Sequence, residues 1–264
     1  MSMDWLKPFW IALSTYSAVP VPQCGWDEKS LARSFCFLPA VGLLIGAAQG
    51  AWLWLCWFAG FNLLLRSAVA VAVPLLVSGG IHMDGFCDTV DALASHQPPQ
   101  RCLEIMKDSR AGAFAIIYCG VYIVLDLGLV SEAAGLPGVF CLIFTMSRAV
   151  SVLSVLSRKN ARGGGMLARF QQPAQTLLVR RCAWGWIAAC AVAMDFCDLY
   201  AGTGALLGAV AAWFAYHAMA ERRFGGITGD TSGFFVQTLE LAMLAGMALG
   251  QAAEIARFAL CGSF

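Results

Sequence analysis

Six stretches of this chain, 35–61, 111–130, 136–156, 182–197, 203–220 and 234–255, are apolar for long enough to cross a hydrocarbon layer as helices. Within lipid every backbone N–H and C=O must be satisfied inside the span, which a helix does by itself. A further apolar run, 67–78, is too short alone, so either the polar stretch after it completes the span or it is a half-helix lining a cavity. The fold class expected is therefore all-α: a polytopic integral membrane bundle of about seven transmembrane helices, within five to eight, some short or broken. Composition agrees. Only 12% of residues are charged and 59% are hydrophobic, with mean hydropathy +0.71, whereas a soluble domain carries about twice that charge fraction.

Net charge is +1, which gives nucleic-acid binding no support. The eleven cysteines form no C-x-x-C pair and lie mostly in apolar runs, where they read as small buried hydrophobes. Residues 1–22 are interrupted by Lys7-Pro8, Pro20 and Pro22 and lack a small-residue cleavage site, so no cleavable signal peptide is expected. Residues 1–33 read instead as an N-terminal interfacial segment. With no internal repeat or low-complexity linker, 1–264 is expected to be one membrane-embedded domain with motif loops at 79–110, 157–181 and 221–233.

Charge then orients the bundle. With seven spans, one side holds Lys7, Lys29, Arg33, Arg101, Lys107, Arg110, Arg158, Lys159, Arg162, Arg169, Arg180, Arg181, Arg222 and Arg223, which is fourteen of the seventeen basic residues. The positive-inside rule makes that side cytoplasmic. The polar motifs fall on the same side, so a multi-pass protein of the cell inner membrane with a cytoplasm-facing site is expected.

The central motif is Gly79-Gly80-Ile81-His82-Met83-Asp84-Gly85-Phe86-Cys87-Asp88-Thr89-Val90-Asp91. Asp84, Asp88 and Asp91 stand at i, i+4, i+7, which places them on one helical face. Like charges so spaced repel, and hard oxygen donors gathered at the end of an apolar run suit Mg²⁺. Next come Arg101, Glu104, Lys107, Asp108 and Arg110. Arg101, Glu104 and Asp108 could simply pair on a wet helix face, whereas Lys107 and Arg110 could meet phosphate oxygens where a span enters the membrane. Arg148 sits inside an apolar run, where burial demands a carboxylate or an anionic ligand, unless the side chain snorkels to the interface. Arg162 leads a triple glycine able to bring backbone amides near an anion. The last motif, Gly225 to Gly233 with Thr228, Asp230 and Thr231, could form a second anion or metal half-site opposite the first, and Glu240 is an expensive intramembrane carboxylate. Asp126 and Asp195 read as interfacial, and His96 and His217 as structural or exposed. Acidic residues ringed by cations suit a diphosphate substrate, whereas a transporter more often places its charges at the midplane between inverted repeats.

These motifs resemble those of the cobalamin synthase (adenosylcobinamide-GDP ribazoletransferase) family. The resemblance lies in the Gly79–Asp91 stretch, in Leu103-Glu104-Ile105-Met106-Lys107-Asp108-Ser109-Arg110-x-Gly112 and in Gly225-Gly226-x-Thr228-Gly229-Asp230-Thr231-x-Gly233 with Glu240, in that order over about residues 16 to 245. Ser17-Ala18 departs from the family's usual Thr-Arg, and Gly165-Met166-Leu167 lacks its second glycine. The resemblance implies a Mg²⁺-dependent membrane phosphotransferase. A hydroxyl of α-ribazole, or of its 5′-phosphate, would attack adenosylcobinamide-GDP, releasing GMP and forming adenosylcobalamin or its 5′-phosphate. The roles expected are Asp84 and Asp88 as metal ligands and Asp91 as third ligand or catalytic base, with His82 as the other base. Lys107, Asp108, Arg110, Arg148, Arg162, Thr228, Asp230, Thr231 and Glu240 would bind substrate or phosphate. A homo-oligomer, or a complex with other B12-assembly enzymes, is compatible with this role. The rival readings are a CDP-alcohol phosphatidyltransferase-like enzyme, against which Cys87-Asp88 replaces that family's Ala-Arg, and a non-catalytic corrinoid transporter or scaffold.

Overall fold

Two consecutive glycines set the geometry on which the site depends. Helix α4 (Leu63–Ser78) is started by the Asn62 side chain, which accepts from Leu65 N at 2.9 Å, and it ends where Gly79 and Gly80 both take left-handed φ values, 66° and 77°. A side chain at either position would strain that backbone. The chain therefore leaves α4 and enters α5 (Ile81–Ala94) bent by 95°. The short apolar run of the sequence is thus a sixteen-residue helix of about 24 Å, and the motif carboxylates ride on a separate helix that breaks away from it.

The computed structural model describes residues 6–22, 25–108, 110–133, 135–171 and 173–261, with the side chains of 173–175 and 261 outside that description. Ser109 of the second motif and residues 1–5, 23 and 24 of the N-terminal segment lie outside it. Among the described residues the chain is helical, with one isolated backbone bridge between Asn160 and Ile227. Six helices are long and apolar enough to cross a membrane: α3 (Leu38–Ala59), α7 (Ala113–Ala133), α8 (Pro137–Ser157), α10 (Pro173–Cys197), α11 (Leu199–Phe224) and α12 (Gly229–Cys261). The bent pair α4–α5 brings the number to as many as seven, within the expected range. Several run past the apolar cores seen in sequence because caps extend them: Asp198 accepts from Ala201 N at 2.8 Å to start α11 several residues before its apolar run.

The N-terminal segment forms α1 (Lys7–Tyr16) and α2 (Glu28–Ser34), both too short to cross a bilayer. Asp27 caps α2 by accepting from Ser30 N at 2.8 Å, an interaction that holds its carboxyl below the usual carboxylate range. The remaining elements, α6 (Pro99–Ile105) and α9 (Met166–Phe170), are short helices in the motif loops.

α8 is the axis of the bundle, buried along most of its length against α3, α10 and α12. Residues such as Trp57, Phe58, Phe196 and Leu249 point outward. That arrangement is stable in lipid, where tight packing rather than apolar burial binds helices together. α11 and α12 show how: a Cβ on Gly204 would fall 2.1 Å from Gly246 O, and one on Gly208 at 2.1 Å from Ala242 O. The interior, though mostly apolar, also holds polar groups, among them Arg148, Glu240, Gln49 and Asp126. Asp126, expected at an interface, is only 7% exposed. Its position on the inward face of α7, beside the buried Tyr122, explains the difference.

Candidate active site

The first turn of α12 lies directly on α5 because two glycines allow it. A Cβ on Gly85 would sit 2.6 Å from Asp230 O, and one on Gly233 would sit 3.1 Å from His82 O. Phe86 and Phe234 stack at 5.4 Å just beyond. Asp230 is thereby brought to the acidic face of α5. Asp88 lies half-buried in the field of Asp84, Asp230 and Asp91, with the Arg162 guanidinium as the opposing charge. Arg162 Nη2 is 2.8 Å from Asp230 Oδ2. That contact is an ion pair, so the oxygen is charge-compensated by the guanidinium.

Arg162 is held there by a zipper between two loops. Ile227 N donates to Lys159 O and Ala161 N to Ile227 O, each at 2.9 Å, and Arg162 N donates to Asn160 Oδ1 at 3.0 Å. Gly226, at φ 147°, makes this possible: a Cβ there would fall 2.4 Å from Lys159 O. Asn160, which no motif reading singled out, completes the loop by donating to Gly164 O at 3.0 Å.

Several expected site residues have other work. Asp91 accepts from Gly112 N at 2.6 Å and Ala115 N at 2.8 Å, so both its oxygens serve the N-terminus of α7. These bonds give Asp91 a positioning role at the positive end of a helix, and its oxygens keep lone pairs beyond those the two amides use. Thr228 and Thr231 are buried and cap α12 reciprocally, Thr228 N donating to Thr231 Oγ1 at 2.8 Å and Thr231 N to Thr228 Oγ1 at 3.1 Å. Their hydroxyls shape the turn that presents Asp230. Arg148, 1% exposed, is paired with Glu240, whose Oε1 also accepts from Ser147 Oγ at 2.8 Å. Of the two partners its burial demanded, the fold supplies the carboxylate. His217 is structural, sharing a hydrogen bond with Ser154 at 2.9 Å.

On one side of the acidic face is a polar cleft lined by Asp88, Asp91, Arg101, Glu104, Asp108 and Arg110. Arg101 pairs with Glu104 at 2.6 Å. Arg110 chelates Asp108 through Nε and Nη2 at 3.0 and 2.8 Å, holding that exposed carboxyl down to about 2. Lys107 is exposed beside them. On the other side lies a cavity of about 200 Å³ between α1, α5, α8, α9 and α12. Asp84, Asp230 and His82 line part of it. His82 is 5% exposed, stacks on Tyr16 at 6.1 Å, and its Nε2 has no hydrogen-bond partner.

The acidic face fits a hard divalent cation. Its donors are the carboxylates of Asp84, Asp88 and Asp230, the hard oxygen set that such an ion takes. Among the described residues no three side chains already converge as a closed chelate. Mg²⁺ typically takes one or two carboxylates and completes its shell with water and substrate phosphate.

The description cobalamin-5-phosphate synthase belongs to the family whose sequence profile matches residues 8–248. A Lachnoclostridium phytofermentans protein is 38% identical over 248 residues, covering 94% of each chain. A Pseudomonas putida protein is 34% identical over 257 residues, covering 93% of this chain and all of the relative. A Pseudomonas fluorescens protein is 33% identical over 253 residues, covering 92% of this chain and all of its own. All three carry the description adenosylcobinamide-GDP ribazoletransferase. No solved structure matches the chain. With three motifs on one face of the bundle and a match that runs nearly end to end, this chain belongs to the cobalamin-5-phosphate synthase family.

Proposed function

We propose that the chain is a phosphotransferase that joins adenosylcobinamide-GDP to α-ribazole or α-ribazole 5′-phosphate, the last assembly step of coenzyme B12 synthesis. A ribose hydroxyl attacks the cobinamide-side phosphorus. One P–O bond forms there, the bond to the bridging oxygen breaks, and GMP leaves with that oxygen. The hydroxyl proton passes to a base, and adenosylcobalamin or its 5′-phosphate results. The observation that carries this reading is the meeting of Asp84 and Asp88 on α5 with the Asp230–Arg162 pair of α12 and the zipped loop.

Asp84 and Asp88 would hold Mg²⁺, with Asp230 on the facing wall. Bound there, the ion would draw charge from the diphosphate and stabilise departing GMP. Arg101, Lys107 and Arg110, on the cleft side, meet the nucleotide phosphates, where Arg110 can exchange Asp108 for a phosphate oxygen. His82 Nε2, unpartnered beside Asp84, takes the hydroxyl proton. The apolar cavity walls keep water from competing with the acceptor. The fourteen basic residues at this end support a site facing the cytoplasm from the cell inner membrane.

The test is turnover by membranes containing the full chain, with adenosylcobinamide-GDP, α-ribazole and Mg²⁺. Native protein should yield GMP and cobalamin in equal amounts, and Asp84→Asn should lose about a hundredfold or more. Near-native turnover by Asp84→Asn at saturating Mg²⁺ would refute the metal assignment. GMP without cobalamin would refute the transfer.

A further inference from the structure

The cavity beside the acidic face is lined by both polar and apolar side chains. His82, Asp84 and Asp230 are among the polar ones, while Phe35, Leu38, Val152, Val155 and Phe170 supply an apolar wall. Phe35 and Phe170 stack on each other at 3.9 Å within that wall. Asp84 and Asp230 also belong to the acidic face, so a molecule seated here has its polar end next to the reacting diphosphate.

We propose that this cavity seats the planar base of α-ribazole, with the ribose turned toward His82 and Asp84. The inference rests on the transferase reading above and adds which substrate enters from which side. The two substrates carry very different bases. Guanine presents donors and acceptors along its edges, which an apolar wall would leave unpaired at substantial cost. Dimethylbenzimidazole is a flat alkylated bicycle whose edge is mostly methyl and aromatic carbon, and it fits both the chemistry and the volume of about 200 Å³. The nucleotide diphosphate then belongs in the polar cleft, which has the guanidinium groups the cavity lacks. The hydroxyl reaches phosphorus from the cavity side and GMP departs on the cleft side, the opposed arrangement that in-line displacement needs.

The experiment measures binding apart from turnover, using the intrinsic fluorescence of α-ribazole with the full chain in detergent and no adenosylcobinamide-GDP. GMP affinity is measured alongside. Native protein should bind α-ribazole. Val152→Phe, which adds bulk to the apolar wall, should weaken it about tenfold or more while GMP affinity stays within about twofold. Met166→Trp, at an exposed position on the cavity rim, should act in the same direction without disturbing the core. Should Val152→Phe fail to fold, Val152→Ala replaces it and should shift preference about tenfold toward a riboside of the larger naphthimidazole base. Unchanged α-ribazole binding in folded variants overturns the proposal, as does loss of GMP affinity instead, which would put guanine in the cavity. A native protein that binds α-ribazole here yet makes no cobalamin would refute the transferase reading while leaving the cavity assignment standing.

Discussion

Replacing Glu240 with Gln would leave Arg148 as a buried charge without a partner. Arg148 is 1% exposed, and its hydrogen bonds go to Phe144 O at 3.2 Å, Ser147 Oγ at 3.0 Å and the Glu240 carboxylate. Asp126, the other buried carboxylate in that region, makes no ion pair with Arg148 among the described residues. Gln preserves the shape and one acceptor while removing the compensating charge. Breaking such a pair costs about 3–5 kcal/mol, which for a chain of this size corresponds to a fall in Tm on the order of 10 °C. The double variant Arg148→Met with Glu240→Leu removes both charges. Ser147 Oγ retains its bond to Phe144 O at 3.0 Å, so no hydroxyl is orphaned, and stability should return to near the native value. Tryptophan-fluorescence melting of the detergent-solubilised protein, run as a complete double-mutant cycle, measures each term. A Glu240→Gln protein melting with the native one, or a double variant no more stable than the worse single, would refute the reasoning.

Gly85→Ala places a methyl 2.6 Å from Asp230 O and must push α12 off α5, so turnover should collapse while melting shifts only modestly; full activity would disprove the close contact as the device that unites Asp230 with Asp84 and Asp88. Asp91→Ala should cost about 0.5–2 kcal/mol through the lost cap on α7, yet leave the Mg²⁺ concentration for half-maximal rate unchanged; a large rise in that concentration would restore Asp91 to the metal shell. The Arg110 guanidinium keeps Asp108 ionised down to about 2. A depressed carboxylate keeps its pairing above its ordinary value near 3.9 and loses it only as pH falls toward the lowered one. Arg110→Ala should therefore reduce the rate by a factor that is constant from about pH 5 to 8, and a pH-dependent factor over that window would contradict the assignment.

Much of this protein could be read from local pattern alone. Long apolar runs require helices in lipid wherever they occur, so the spans at 35–61, 136–156 and 234–255 needed no knowledge of their neighbours. The sequence left open whether the run before Gly79 continues into the motif or ends as a half-helix; the left-handed φ of Gly79 and Gly80 decided for the break. The face shared by Asp84 and Asp88 follows from helical spacing, itself a local quantity. What a carboxylate or guanidinium does once placed is not local. Asp91 has the same spacing relation as its neighbours, yet the start of α7, more than twenty residues on, takes both its oxygens. Arg148 declared in sequence that it needed a partner, but only the packing of α8 against α12 decided that the partner is a residue ninety-two positions away. Hydropathy and residue spacing set helix and face because they act within a few turns. The partner of a buried charge and the walls of a cavity depend on which helices touch, and that was decided by glycines and side-chain volumes acting across the whole bundle.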